Sequence, residues 1–237
     1  ELPPTVAEIR RRSRMGSSDS AEFARIVSAV PALERYLIHA ANSPLFNPKE
    51  PCSHCVTAIE RLGVERLSEL MLAFTPSLLQ ARFGGDWESG WLQSLGVAAA
   101  GWWLAERTGL VEPHQALVLG LLHNAGMATA MHYLQTQTVM ELSVEERSTL
   151  LPLLCRDITR LLFALWDVDE MYAQALPALY DWQLAGQKAR PDLADLLQTA
   201  RYLQLLGERD AVVPVHDHVA GLVRTALYEQ CLLNPRA

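Results

Sequence analysis

Apolar residues return every three to four positions from one end of this chain to the other, and no stretch alternates with period two for long. A repeat of that kind lines one side of an α-helix and cannot line one face of a strand, so the sequence predicts an all-α protein. Half of the 237 residues are hydrophobic, enough to give each helix a stripe to bury and to exclude a disordered chain. No apolar run reaches the ~20 residues that span a bilayer. The longest, around Leu95–Ala105 and Ala116–Leu122, are broken or bounded by Gly and His.

Local signals divide the pattern into helices. Asp19-Ser20-Ala21-Glu22 reads as a capping box opening "AEFARIVSAV". Pro31 stands where a first-turn proline belongs, with "ALERYLIHAAN" running from it until Asn42-Ser43-Pro44. After the loop "SPLFNPKEP" come "CVTAIERLG" and "VERLSELMLAFTPSLL", separated at Gly63. The glycine pair in "RFGGDWESG" marks a junction. It separates an N-terminal subdomain of short helices, residues 1–85, from a core of longer helices, residues 86–237, the two forming one unit. In that core, helices are expected over roughly Trp87–Arg107, from Pro113 to near Gly126, over about Leu150–Leu165 with "DEMYAQALPALYDW" continuing, from near Pro191, and over about Pro214–Leu233.

Charge and cysteine usage narrow the function. A net charge of −7 argues against a nucleic-acid surface, which needs a basic face to displace counterions. The run Arg10-Arg11-Arg12-Ser13-Arg14 reads as a solvated helix face, with docking to an acidic partner as the sharper alternative. Four cysteines are too few for a disulfide scaffold, and no signal-peptide pattern is present, so a cytoplasmic protein with free thiols is expected. Cys52-Ser53-His54-Cys55 lacks two further nearby ligands for zinc and the strand–helix context of a redox motif, which leaves a local loop role. His216 and His218 diverge by ~200° on a helix and so do not share a metal easily. Trp87, Trp91, Trp102 and Trp103 read as packing residues, with Trp102 and Trp103 far enough apart in direction that at least one faces the other subdomain. No phosphate-binding glycine loop or nucleophile elbow occurs.

Several phrases, in order along the chain, resemble the HDOD family, output-domain relatives of the HD metal-dependent phosphohydrolases. They are "LPPTVAEI" at Leu2, "IVSAVPALERYLIHAANSPLF" at Ile26, "AIERLGVERLSELML" at Ala58, "WLQSLGVAAAGWWLAERTGL" at Trp91 and "ALVLGLLHNAGM" at Ala116. The resemblance implies a bundle of short helices packed on an HD-like helical core, acting as a non-catalytic regulatory or signalling module in bacteria. One departure is Val30, where the family has an Asp before "Pro-Ala-Leu"; the change removes a helix cap worth ~1 kcal/mol.

The HD enzymes, as the resemblance implies, grip divalent metal with histidines and a His-Asp pair, and the metal activates a water toward a phosphoester. Here the pair reads His123-Asn124, and an amide oxygen is a neutral, weaker ligand that cannot bridge two cations. The histidine of the family's Trp-x-His-Ser is Gln93, and the family's Lys after His-Asp-Ile-Gly is Met127. Aligned on Trp166, the next histidine falls near Cys155 and the later pair near Leu179-Tyr180. A further acidic position falls on Arg201, or on Asp195 if the register is shifted. A four-ligand structural zinc site is worth ~10–16 kcal/mol, so one imidazole beside a guanidinium falls far short. No catalytic residue, metal or other cofactor is therefore expected. Gln93, His123, Asn124, Cys155, Tyr180 and Arg201 are expected as a remnant site, its polar groups hydrogen-bonded across core helices because each unpaired one costs ~1–3 kcal/mol. Gln93 can serve either His123 or Asn124.

The expected function is regulatory, through a signalling protein or an appended domain, with no nucleic-acid or membrane partner and self-association into a homodimer left open. The alternatives are a phosphohydrolase or cyclic-dinucleotide phosphodiesterase with altered ligands, and a nucleotide-sensing pocket without catalysis.

Overall fold

Caps and breakers decide where each helix of the computed structural model begins and ends. The structure describes residues 1–43, 46, 49–83, 88–136, 142–181 and 190–207, and every regular element among them is helical. The chain divides into two units, Glu1–Arg82 and Phe83–Ala237. None of the described helices is long and apolar enough to cross a membrane.

In the first unit, α1 (Pro4–Arg14) starts on a proline whose missing N–H costs nothing in a first turn. In α2 (Ser20–Ser28) Asp19 accepts from the amides of Ala21 and Glu22, at 2.9 and 3.1 Å. Glu22 does not close the box back onto Asp19; it pairs with Arg12 and accepts from the Ser17 hydroxyl. The basic run is accordingly tied into its own unit. Arg11 and Arg12 both hold Glu8, whose carboxyl drops to about 2 on their hydrogen bonds, and Arg10 is buried.

α3 (Pro31–Ala41) begins at Val30, which supplies no side-chain cap. The Ser28 hydroxyl instead donates to Glu34 in the first turn, at 2.8 Å. Asn42 ends the helix and grips Cys52 twice: its amide donates to the Cys52 carbonyl and its oxygen accepts the Cys52 N–H, both at 2.8 Å. Arg61 adds bonds to the carbonyls of Ala41 and Glu50.

Gly63, at φ +83°, separates α4 (Cys55–Leu62) from α5 (Val64–Phe83). Pro76 lies inside α5 and removes one ladder donor; the hydroxyls of Thr75 and Ser77 donate to nearby carbonyls of the same turns. Phe23, Leu33, Leu37 and Ile59 are fully buried where α2, α3 and α4 meet, each worth ~1.5–3 kcal/mol. Tyr36 stacks on Phe74 with ring centres 5.0 Å apart.

The second unit is organised around α6 (Glu88–Thr108), which packs on α7 (Pro113–Leu122) and α11 (Leu193–Gly207). Glycines permit the close approach. A methyl group on Gly120 would lie 2.5 Å from the Ala98 Cα, and one on Gly101 would lie 2.7 Å from Leu197. Gly109, at φ +61°, ends α6.

After α7 the chain turns through residues 123–126 into α8 (Met127–Thr136), which packs on α9 (Val144–Leu165). The expected helix from Pro113 to near Gly126 is thus shorter, ending at Leu122. α9 is longer than its apolar periodicity indicates, starting at Val144 rather than Leu150. A Ser143–Glu146 capping box closes its first turn, which is polar and invisible to a hydrophobic pattern. α10 (Glu170–Ala175) and a 3₁₀ turn (Leu176–Leu179) follow. The expected helix over about Pro214–Leu233, the His216–His218 pair, Trp87 and the glycine pair of the junction lie outside the described residues.

Candidate functional site

The turn after α7 holds the His-Asn pair. α7 begins with Pro113 and is buried along Ala116–Leu122, so it delivers His123 into the interior. The ring is 1% exposed, and its Nδ1 lies 2.7 Å from the Gly120 carbonyl. A carbonyl can only accept, so Nδ1 carries the proton and Nε2 the lone pair. Burial, with the Arg201 charge adding to it, drives the imidazole pKa down to about 3, against a smaller opposing pull from the Gly120 bond. His123 is a neutral core imidazole.

Around it lies a closed set of polar contacts. The His123 carbonyl accepts from the Tyr180 hydroxyl at 2.5 Å and from Thr159 Oγ1 at 3.4 Å. Thr159 Oγ1 also accepts the Gly126 N–H at 3.0 Å, stitching both ends of the turn to α9. Gly126 has to be glycine for this. A Cβ there would fall 2.6 Å from the Cys155 carbonyl oxygen and 2.8 Å from the Thr159 nitrogen.

The Cys155 thiol donates toward Asn124 Oδ1 at 3.8 Å and lies 3.4 Å from the Tyr180 hydroxyl. Burial pushes both the Cys155 and Tyr180 pKa values up, so both groups stay protonated and act as hydrogen-bond donors. The Arg201 guanidinium lies over the Tyr180 ring, 5.3 Å from its centre. Gln198, fully buried one turn earlier on α11, donates to the carbonyls of Ala178 and Asp181, each at 2.8 Å, and so fixes the backbone on both sides of Tyr180.

His123, Asn124, Cys155, Tyr180 and Arg201 therefore come together, although sequence reasoning drew them from four separate segments. Gln93 does not join them. It is exposed on α6, and its neighbour Ser94 is the buried residue, donating to the Gly90 carbonyl at 3.1 Å. A one-residue step on a helix turns a side chain by about 100°, which is the difference between the two. The contacts foreseen for Gln93 are made instead by the Gly120 carbonyl, to the His123 ring, and by the Cys155 thiol, to Asn124. Leu179 is buried core. Asp195 accepts the Asp192 N–H at 2.9 Å while Asp192 accepts from the Ala194 amide, so Asp195 belongs to the cap of α11 and Arg201 to the cluster.

Thr159 and Gln198 were missed. Each carries a usable signal, a hydrogen-bonding side chain in register with the buried face of a helix.

Elsewhere, Cys52 and Cys55 are free and buried, and burial lifts the Cys55 thiol to about 11, opposite to the shift a redox thiol needs. Trp102 is buried, and Trp103 is half-buried with the Arg107 guanidinium 4.1 Å from its ring centre.

The family model of the HDOD domain matches residues 1–181. The chain belongs to the HDOD family. No curated protein matches it. Among solved structures, this HDOD chain is similar to a protein from Shewanella amazonensis SB2B described as a candidate metal-dependent phosphohydrolase. The two are 19% identical, with 96% of this chain and 82% of that one covered and a TM-score of 0.76. It is also similar to an HDOD domain protein with unknown function from Geobacter sulfurreducens, at 19% identity, 99% and 90% coverage, and a TM-score of 0.67. At such identities the likeness is one of fold.

The residues at the HD position do not suit the metal that HD enzymes hold. A divalent cation there would meet one imidazole, a neutral amide, a protonated thiol, a protonated phenol and the charge of Arg201. Among the described residues, no group of three His, Cys, Asp or Glu side chains could hold a metal ion.

Proposed function

We propose that this HDOD chain is a non-catalytic regulatory module that works through contacts of its helical surface with a signalling protein or an appended domain. One observation carries the reading: the HD position is a hydrogen-bonded cluster around a buried imidazole, with Arg201 beside it and no acidic side chain among its described residues. Phosphoester hydrolysis of the HD kind needs cations that acidify a water and neutralise phosphate charge. The cluster offers protonated donors and a fixed positive charge, and the hydrogen bonds of Thr159 and Tyr180 join the 123–126 turn to α9 and the Tyr180 segment.

The net charge of −7 disfavours nucleic acid as the partner, which leaves protein surfaces. The test is metal analysis of protein purified without chelator, combined with hydrolysis assays on nucleotides and cyclic dinucleotides. Substoichiometric Mn, Fe and Zn with no turnover is expected. Stoichiometric metal with turnover that disappears in His123→Ala would overturn the proposal in favour of an altered-ligand phosphohydrolase. A thermal shift with one nucleotide, without turnover, would favour a ligand sensor.

A further inference from the structure

α9 is two-sided in an unusual way. Its inward face, Cys155, Thr159 and Phe163 at four-residue spacing, is buried. Its opposite face should be polar if it met only water, yet Leu153, Leu161 and Leu165 are 46%, 70% and 61% exposed. Between these leucines lie Asp157 and Arg160, both exposed. Leu153, Asp157, Arg160 and Ala164 follow the four-three-four spacing of a coiled-coil seam.

The order of residues along this face says what fits it. Laid antiparallel on a second α9, with a two-fold axis passing between Ile158 and Thr159, the face meets its own complement. Leu153 falls opposite the partner's Ala164, and Asp157, which Arg156 of its own helix contacts at 2.9 Å, falls opposite the partner's Arg160. Two-fold symmetry makes each pairing occur twice, so both central contacts join opposite charges and Leu153 meets the partner's Ala164 at either end. A parallel alignment in register would instead set Asp157 against Asp157 and Arg160 against Arg160.

We infer that the outward face of α9 is a self-docking surface through which two copies of this chain pair antiparallel. The inference is independent of whether the HD position is catalytic. One helix face covers less than the ~800 Å² per partner of a standard stable interface, so the association is weak and reversible. Such a dimer is responsive to concentration, which suits a module whose state is to be changed.

The experiment is sedimentation equilibrium of the 237-residue chain over a concentration series, with circular dichroism confirming that each variant is folded. Wild type is expected to pass from monomer to dimer at micromolar concentrations. Arg160→Asp, which places four carboxylates around the axis, is expected to weaken dimerisation by about tenfold or more. The double variant Asp157→Arg/Arg160→Asp restores opposite charges in the same register and should dimerise as wild type does. Leu153→Cys combined with Ala164→Cys should form a disulfide between copies under mild oxidation. A wild type that stays monomeric throughout would overturn the inference and leave the face to a different protein. A dimer indifferent to Arg160→Asp, or not rescued by the charge swap, would place the contact elsewhere and overturn it equally.

Discussion

Substituting Gly126 by alanine tests the packing of the cluster more directly than removing any of its side chains. The added methyl would sit 2.6 Å from the Cys155 oxygen, 2.8 Å from the Thr159 nitrogen and 2.9 Å from the Ile158 Cβ. Two of those atoms are backbone of α9 and cannot rotate away, so the turn has to lift off the helix. Lifting also stretches the 3.0 Å bond from the Gly126 N–H to Thr159.

Overpacking of this kind costs ~1–3 kcal/mol, and loss of the buried hydrogen bond adds ~1 kcal/mol. The backbone-entropy gain of alanine over glycine returns less than ~1 kcal/mol. The net destabilisation is ~1–3 kcal/mol, which for a chain of this size lowers Tm by roughly 3–10 °C. Differential scanning calorimetry reads it, with circular dichroism in urea as the check on the unit affected. An alanine variant as stable as wild type would mean that the turn does not touch α9, and the hydrogen-bonded cluster would fall with it.

Two further outcomes follow from other parts of the molecule. The His123 pKa is depressed in the fold, from its ordinary 6.5 to about 3, so below pH 6.5 the unfolded chain binds a proton that the folded one refuses. This contribution to stability is present above pH 6.5 and is lost as pH falls from 6.5 toward 3, by up to about 1.4 kcal/mol per pH unit; urea unfolding from pH 7 to pH 4 should show that slope shrinking in His123→Gln. Val30→Asp should stabilise the first unit by ~1 kcal/mol, because Val30 already has the extended backbone of an N-cap at φ −124°, ψ 96° and lacks only the acceptor; an unchanged urea midpoint would contradict this.

Helix punctuation was legible because it depends on neighbours in sequence. Asp19, the prolines at 31 and 113, and the glycines at 63 and 109 act within one turn of themselves. The start of α9 was equally local, but Ser143–Glu146 is a polar signal overlooked by a reading that followed apolar residues. The cluster is different in kind. That His123, Cys155, Tyr180 and Arg201 converge depends on how α7, α9, the 3₁₀ turn and α11 pack, and only a family register, not periodicity, connects those segments in sequence. Gln93 shows the limit of such a register, since it places a residue along a helix without stating which way it points. Thr159 and Gln198 had no counterpart in the motif and become significant only through the backbone groups they satisfy.

Gly120 leaves room for the Ala98 backbone at one setting only. Sliding α7 by a single residue would drive Leu119 or Leu121 into that space, so the two helices behave as a welded block rather than as plates free to shear. A rearrangement within this unit cannot run as slippage along that seam. It has to be carried by the elements around the block, with α9 and the Tyr180 segment as the parts whose hold on their neighbours rests on a few exchangeable bonds.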